Sequence, residues 1–544
     1  MINLCAMDMK RMIFLLMLSL CVGTSMAQPA ELMRVYTDKE CYLAGEKLWV
    51  KVSSDDKALP GNSLSRVAYV EICDTAQVYA QGKVALHQGK GWACIQLPQT
   101  MHSGVYQLVA YTRYMRNLES DAYPRKHLAV LNTLGSSEKD SRILNNPAGH
   151  LKEASVSSDM ELKGDKEVYG FREKVSLSWS SRLAGAKELA LSVVRKDCAV
   201  KLVQPESGSP VWIKEERWLP ECEGHIVTAG ITEGELPEKA LTQLSCVGKE
   251  MKMFEGKQKA EGIYQFHTYG VNDRQDIVLS ALAGEGKTYR MEIETPFIEK
   301  LPEEVPELVC HYDDSALIDR SVALQLSQAM PEVVSPKEVE ETIFSRVPDK
   351  TYNLDEYVRF NIVEESIIEF VMGVTIDKVG GKKTIRMLNA NGKGFNLFPV
   401  LVLVDGVAFN NHEDVLGYNV HQVKYIHQYR GEYAFGEVFY GGILSLITHR
   451  GMLQDMRMHE HMQMLAYEFP QDRPAFEMPL YQDEKSRLSR RPDFRHTMYW
   501  EPMAEGKTST EFYTSDLEGE YVAVLQGIDA DGKKIELKWE FEVK

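Results

Sequence analysis

Short stretches in which apolar and polar residues alternate recur along the whole chain, and they predict strands rather than long helices. "LWVKV" (48–52), "VSLSW" (175–179) and "KWEFEV" (538–543) each place apolar side chains at every second position, the period of a half-buried strand. The first two follow a repeated opening. Residues 38–47, "DKECYLAGEK", and 165–174, "DKEVYGFREK", share Asp, Lys, Glu, Tyr, Glu and Lys in the same order. A strand, a turn and a second strand of a β-sandwich fit that layout. Another element occurs three times: "SGVYQLVAYT" (103–112), "EGIYQFHTYG" (261–270) and "EGEYVAVLQG" (518–527). In each, Gly gives a tight entry and Tyr begins an alternating strand suited to packing on an opposing sheet.

Three such closures predict three sandwiches. The first covers 28–135, near the roughly 100 residues of an immunoglobulin-like sandwich. The last piece, 493–544, holds about four strands and lacks a front half, whereas 155–200 holds an opening and one further strand but no closing half. Together they predict one split sandwich, motivated by the need of alternating strands for a sheet that buries Trp539, Phe541 and Val543. Pairing of 175–179 with the final strands tests it. Between the halves lie a small β domain at 218–298, an α/β domain with preceding helices at 314–452, and a polar linker at 453–492. The pattern predicts helices at 319–330 and 335–347, the second opening on Ser335 and Pro336. A further apolar run at helical spacing covers 358–374, and "VLVLV" (400–404) reads as a strand. The fold class expected is mainly β and multidomain, with immunoglobulin-like β-sandwiches and one small α/β domain.

The ends and the charge add location. Lys10 and Arg11, an apolar run over 12–22, and Ser25-Met26-Ala27 before Gln28 give the order of a secretory signal over 1–27. Lipid attachment at Cys21 is the alternative, although bulky Leu20 precedes it where such processing takes a small residue. No later run reaches the roughly 20 apolar residues of a membrane-spanning helix. The expectation is an exported chain at the periplasmic or outer-membrane face. A formal net charge of −17 opposes binding to nucleic acid and anionic lipid. Seven cysteines follow residue 27 without a CxxC pair (Cys41, Cys73, Cys94, Cys198, Cys222, Cys246, Cys310). Their settings suit small buried hydrophobes, with one or two disulfides left open.

Two resemblances bear on identity. "YTDKECYLAGEKLWVKV" (36–52) resembles the opening of the macroglobulin-type sandwich, with Thr37, Asp38, Lys39, Tyr42, Gly45 and Glu46 in the family's order. "LPQTMHSGVYQLVAYTRYMRN" (97–117) looks like the matching part of exported Bacteroidetes proteins that carry it. Residues 398–410 and 420–451 are similar to the plug domain of TonB-dependent outer-membrane receptors, through Val404, Asp405, Gly406, Val423, Ile426, Gly436, Gly441, Gly442, Ile447, Thr448 and Gly451. The usual Tyr-Gly before the Gly-rich turn is rearranged, and no clear TonB box stands near the N-terminus. A receptor barrel of about 22 strands needs several hundred residues, and too few follow the plug-like segment to build one. The resemblance implies a module that stands alone or enters a barrel made by another chain.

No reactive centre emerges from the motifs. Asp405 reads as a turn residue before Gly406; as a catalytic acid its neighbours would be His412 and Glu413. Cys222 and Cys246 lack the Cys-Gly-Glu-Gln context of a macroglobulin thioester. "HEDVL" and "HEHMQ" are not HExxH, "VGGKKT" fails the phosphate-loop spacing, and no GxSxG occurs. The run 456–464, with His459 and His461 among methionines, has copper-binding chemistry but reads better as a Met-rich connection. Tyr499 and Trp500 read as sandwich-core residues. The expectation is a non-enzymatic envelope protein, without cofactor, metal or catalytic residues, that binds a protein or peptide partner and is associated with TonB-dependent transport. The alternative is a protease-inhibitor-like module with a cleavable segment at 484–495.

Overall fold

The computed structural model describes residues 31–54, 64–135, 144–145, 161–200, 202–205, 217–248, 252–283, 287–312, 314–329, 347–435 and 438–544. The molecule is mainly β and multidomain. The segment 1–27, expected as an export signal, and residues 335–346 of one expected helix lie outside the described residues. Among those described, no helix is long and apolar enough to cross a membrane.

The first unit contains β1 (Met33–Thr37), β2 (Cys41–Leu43), β3 (Lys47–Ser54), β4 (Val67–Cys73), β5 (Val78–Ala85), β6 (Lys90–Gln96), β7 (Gly104–Thr112) and β8 (Arg125–Leu131). One sheet runs β1-β3-β6 and the other β2-β8-β7-β4-β5. Side chains from both, among them Leu48, Val50, Val70, Ile72, Leu108 and Ala110, fill the space between them.

The repeated opening is a hydrogen-bonding device. Asp38 Oδ1 accepts from the Tyr42 hydroxyl at 2.7 Å and the Trp49 N–H at 3.1 Å. Asp165 Oδ1 accepts likewise from Tyr169 at 2.8 Å and the Ser176 N–H at 2.8 Å. Glu46 then takes the Leu43 N–H, as Glu173 takes that of Gly170. Each pair of acids holds amides on the two sides of the turn between successive strands, so the spacing repeats with the turn. The recurring Tyr has a comparable role. Tyr106 and Tyr521 donate to the carbonyls of His102 and Leu517, four residues back, whereas the Tyr264 hydroxyl accepts the Ala240 N–H.

In the second unit, Lys174–Trp179 lies antiparallel to Ser509–Tyr513, with Val175 opposite Phe512. The facing sheet runs Val168–Tyr169, Lys534–Val543, Gly519–Ile528, Glu188–Arg195, Thr497–Glu501. Its core joins Leu177, Leu189 and Val193 to Phe512, Tyr521 and Phe541 across more than 300 intervening positions. Gly164 lets the Trp539 ring approach, since a Cβ there would come within 2.1 Å of it.

A third unit has one sheet of Lys257–Ala260, Ile263–Thr268, His225–Ile231 and Met291–Ile293. Its other sheet has Lys252–Glu255, Leu241–Cys246, Arg274–Ala283 and Lys287–Thr288. Gln463–Glu468 also pairs with Arg274–Ala283, which corrects the expectation of a bare linker over 453–492. The strand's free edge recruits the alternating "QMLAYE" from far along the chain. The same stretch continues as an ordered strap. Gln471 exchanges backbone hydrogen bonds with Lys83 and Ala85 at 2.9 Å each, and Asp483 forms a capping box with Ser486.

The Arg-rich part of this strap is clamped. Arg172 donates to the carbonyls of Arg487, Ser489 and Arg491 at 2.8, 2.7 and 3.0 Å and forms an ion pair with Asp516 at 2.5 Å. A protease must first free those carbonyls. Arg172→Ala is expected to accelerate tryptic cleavage within 485–490 by about tenfold, read from a mass-spectrometric time course.

The α/β unit has the sheet order Lys350–Asn353, Val423–Tyr429, Ile443–Thr448, Leu401–Val404, Val407–Phe409, with helices Val363–Phe370 and His412–Leu416 packed on it. The long helix expected over 358–374 shortens, because Gly373 at φ +80° turns the chain into the hairpin Val374–Val379 with Lys382–Met387. The helix Asp314–Ala329 was expected with this unit. Instead its Leu317 joins Cys41, Leu43, Ala129 and Leu131 on the first unit, because Arg320 finds its carboxylates there.

Candidate functional site

Edge strands present unpaired backbone groups, and proteins cover them or use them. β5 ends the five-stranded sheet of the first unit. Its C-terminal part is covered: the Lys83 carbonyl and the Ala85 N–H point outward and bond to Gln471. Bonding direction alternates along a strand. Gln81, two residues earlier, therefore turns its own N–H and C=O outward, beyond the reach of the strap.

A groove of about 360 Å³ lies beside that stretch, between Val78, Tyr79, Ala80 and Gln81 on one side and Glu299 and Leu301 on the other. Glu71 on β4, 2% exposed, holds the far wall. It accepts from the Ile298 N–H at 3.1 Å, the Glu299 N–H at 3.2 Å and the Tyr111 hydroxyl. Burial, then the charge of Glu71, drives the Tyr111 hydroxyl far above its ordinary pKa, so it remains a donor. The Gln81 amide bridges Glu71 and Glu299 at 3.3 and 3.2 Å. Tyr79 lies edge-to-face with Tyr106 at 5.1 Å. Exposed Glu299 gives the wall a negative charge. Such an edge can hydrogen-bond an extended backbone, and its wall favours a cationic side chain on that segment.

The residues singled out from sequence lie elsewhere. Asp405 sits at φ +44° in the turn between Leu401–Val404 and Val407–Phe409. Its buried carboxylate accepts from the Thr448 N–H at 2.8 Å, the Thr448 hydroxyl at 2.7 Å and the Leu453 N–H at 2.8 Å. His412 is spent between the Ile385 N–H and the Val400 carbonyl, and Glu413 accepts from the Lys383 N–H. His459 pairs with Asp414 at 2.7 Å and His461 with Thr288 at 2.8 Å. Among the described residues no group of three or more His, Cys, Asp or Glu side chains forms a metal-ligand set. Tyr499 stacks on Phe512 at 5.4 Å in the second unit's core. Trp500 departs from expectation: it packs with Tyr36 and Trp49 between the first and second units. Cys222 is exposed and Cys246 buried.

One buried constellation carries no signal beyond the spacing in "ECEGH". Glu221, 0% exposed, accepts from the Tyr69 hydroxyl at 2.9 Å and lies 3.1 Å from His225 Nδ1, while His225 Nε2 meets the Tyr467 hydroxyl at 2.7 Å. These are acid–base residue types, but they are enclosed and bonded to one another, joining the first unit, the third unit and the strap. Lys83 lies over the Tyr467 ring at 3.9 Å and donates to the Glu468 carbonyl at 2.7 Å. Burial pulls its pKa down to about 7. A lowered lysine pKa costs stability below that value, and the cost fades as pH rises toward 10.5. Lys83→Met is expected to raise stability at pH 7 by about 1 kcal/mol. The gain should shrink toward pH 10, measured by urea unfolding.

No family model matches the chain, and no curated protein matches it. Among solved structures, native Escherichia coli alpha-2-macroglobulin is similar at 9% identity over 95% of this chain and 40% of that one, with a TM-score of 0.22. A Salmonella alpha-2-macroglobulin mutant gives 10%, 96%, 40% and 0.21, and an E. coli adhesin 10%, 52%, 97% and 0.15. The chain thus spans about two fifths of the length of these macroglobulins.

Proposed function

We propose that this protein is a non-enzymatic binding protein of the cell envelope that captures a protein partner by adding an extended, cationic segment to the open edge of β5. The observation that carries this reading is the outward N–H and C=O of Gln81 beside the groove, where the strap stops short. Export is inferred from the order of residues at 10–28. Gln81→Pro removes the outward donor and leaves the ladder to β4 intact, as proline is tolerated on an edge whose N–H faces solvent. Cross-linking capture from native envelopes is expected to recover a partner with the wild type and lose at least about nine tenths of it with Gln81→Pro. Recovery by the variant of every protein that the wild type captures, or none recovered by either protein, would refute the reading.

A second contact is favoured by the α/β unit, where Leu397 is 93% exposed beside Phe398 and Phe439, stacked at 5.6 Å. Such a patch marks a docking face. We propose that it meets an outer-membrane barrel. Leu397→Asp should release a barrel protein that Gln81→Pro leaves bound.

A further inference from the structure

Three cysteines distant in sequence meet where the first unit, the second unit and the helix Asp314–Ala329 join. Cys41 opens β2. Cys198 begins the strand Cys198–Val200, which leaves the second unit, and Cys310 lies on Val309–Tyr312, which returns from the third. These two strands pair antiparallel, with Cys198 opposite Tyr312 and Cys310 opposite Val200. Cys198 and Cys310 are therefore diagonal neighbours on one face. Both pack in one apolar cluster with Cys41. Cys41 and Cys310 are buried, while Cys198 is partly exposed, so an oxidant reaches the central thiol first.

We propose that this cluster is a thiol–disulfide site in which Cys198 forms one disulfide, with Cys310 as first partner and Cys41 as the exchanging thiol, at the expense of a small-molecule disulfide. Cys198 loses its proton to water and its thiolate attacks the reagent disulfide. One reagent thiolate leaves and is protonated by water. Cys310 then loses its proton to water, attacks the Cys198 sulfur and expels the second reagent thiolate, which water protonates in turn. Two protein thiols and one disulfide become one protein disulfide and two small thiols. Cys41 can attack the same Cys198 sulfur and release the Cys310 thiolate, moving the bond without further oxidation.

The test incubates the full chain with oxidised glutathione, blocks remaining thiols with maleimide and maps peptides by mass spectrometry. The expected result is two fewer blocked thiols, a Cys198–Cys310 cross-link, and its diversion to Cys198–Cys41 in Cys310→Ser. Cys94→Ser should leave the cross-link unchanged. All three thiols remaining alkylatable in the wild type, or a cross-link that omits Cys198, would overturn the proposal. That result needs no variant to fold. Loss of partner capture by Gln81→Pro is a separate measurement, so the two readings fail independently.

Discussion

Arg320→Ala is expected to destabilise the protein by about 3–5 kcal/mol, the loss typical of stranding buried charges. Arg320 is 2% exposed. Its guanidinium forks onto Glu46 at 2.7 and 2.7 Å, meets Asp197 at 2.9 Å and donates to the Cys41 carbonyl at 3.0 Å. Asp197 in turn bonds His496 at 2.9 Å. Removing the cation leaves two enclosed acids, from two different units, without their shared guanidinium and with only Lys39 and His496 beside them. Arg320→Met with Glu46→Gln and Asp197→Asn removes all three charges and should recover much of the loss, because the stranded carboxylates rather than the absent pair carry most of the penalty. Acid titration gives an independent check. Burial disfavours the Glu46 charge, but Arg320 and Lys39 outweigh it and hold its pKa near 2. A depressed carboxylate stabilises the fold above its unfolded pKa of 4.5, and the contribution is lost as pH falls toward 2. The alanine variant should lack that pH-dependent contribution. A loss below about 1 kcal/mol in urea would show that the network contributes little.

Asp405→Ala should cost about 3 kcal/mol or more, since it orphans two buried N–H groups and one hydroxyl at once. These donors, at Thr448 and Leu453, fix where the chain leaves the central strand of the α/β sheet. Asp405→Asn keeps the size but offers only one acceptor oxygen, so it should lose most of the same stability. Hydrogen exchange should rise first at 448–453. An asparagine variant as stable as the wild type would mean that the turn alone, and not the carboxylate, matters there.

The strand pattern was legible because each sandwich strand buries one face, which stamps a period of two on residues such as 48–52 and 538–543. The Asp and Tyr of the repeated opening were visible as a repeat, but their partners were not: the Trp49 and Ser176 amides are named only once the turn is built. Other features depend on which elements meet in space. Nothing in "QMLAYE" announces that its partner is Arg274–Ala283, and a six-residue alternation beside Met, His and Arg reads as a connection. The groove was illegible for a similar reason. Gln81 becomes an edge residue only because β5 ends a sheet whose strand order tertiary packing decides. Trp500 looked like core because aromatic alternation marks burial without saying between which layers.

The interleaving of Lys174–Trp179 and Glu188–Arg195 with the last strands has a consequence for biogenesis. A chain threaded through a translocation pore from its N-terminus exposes both apolar strands long before their neighbours emerge. Until then they are sticky templates at risk of self-association. On the export proposed above, this protein should lean on a holdase that keeps the early half apart until the late half arrives.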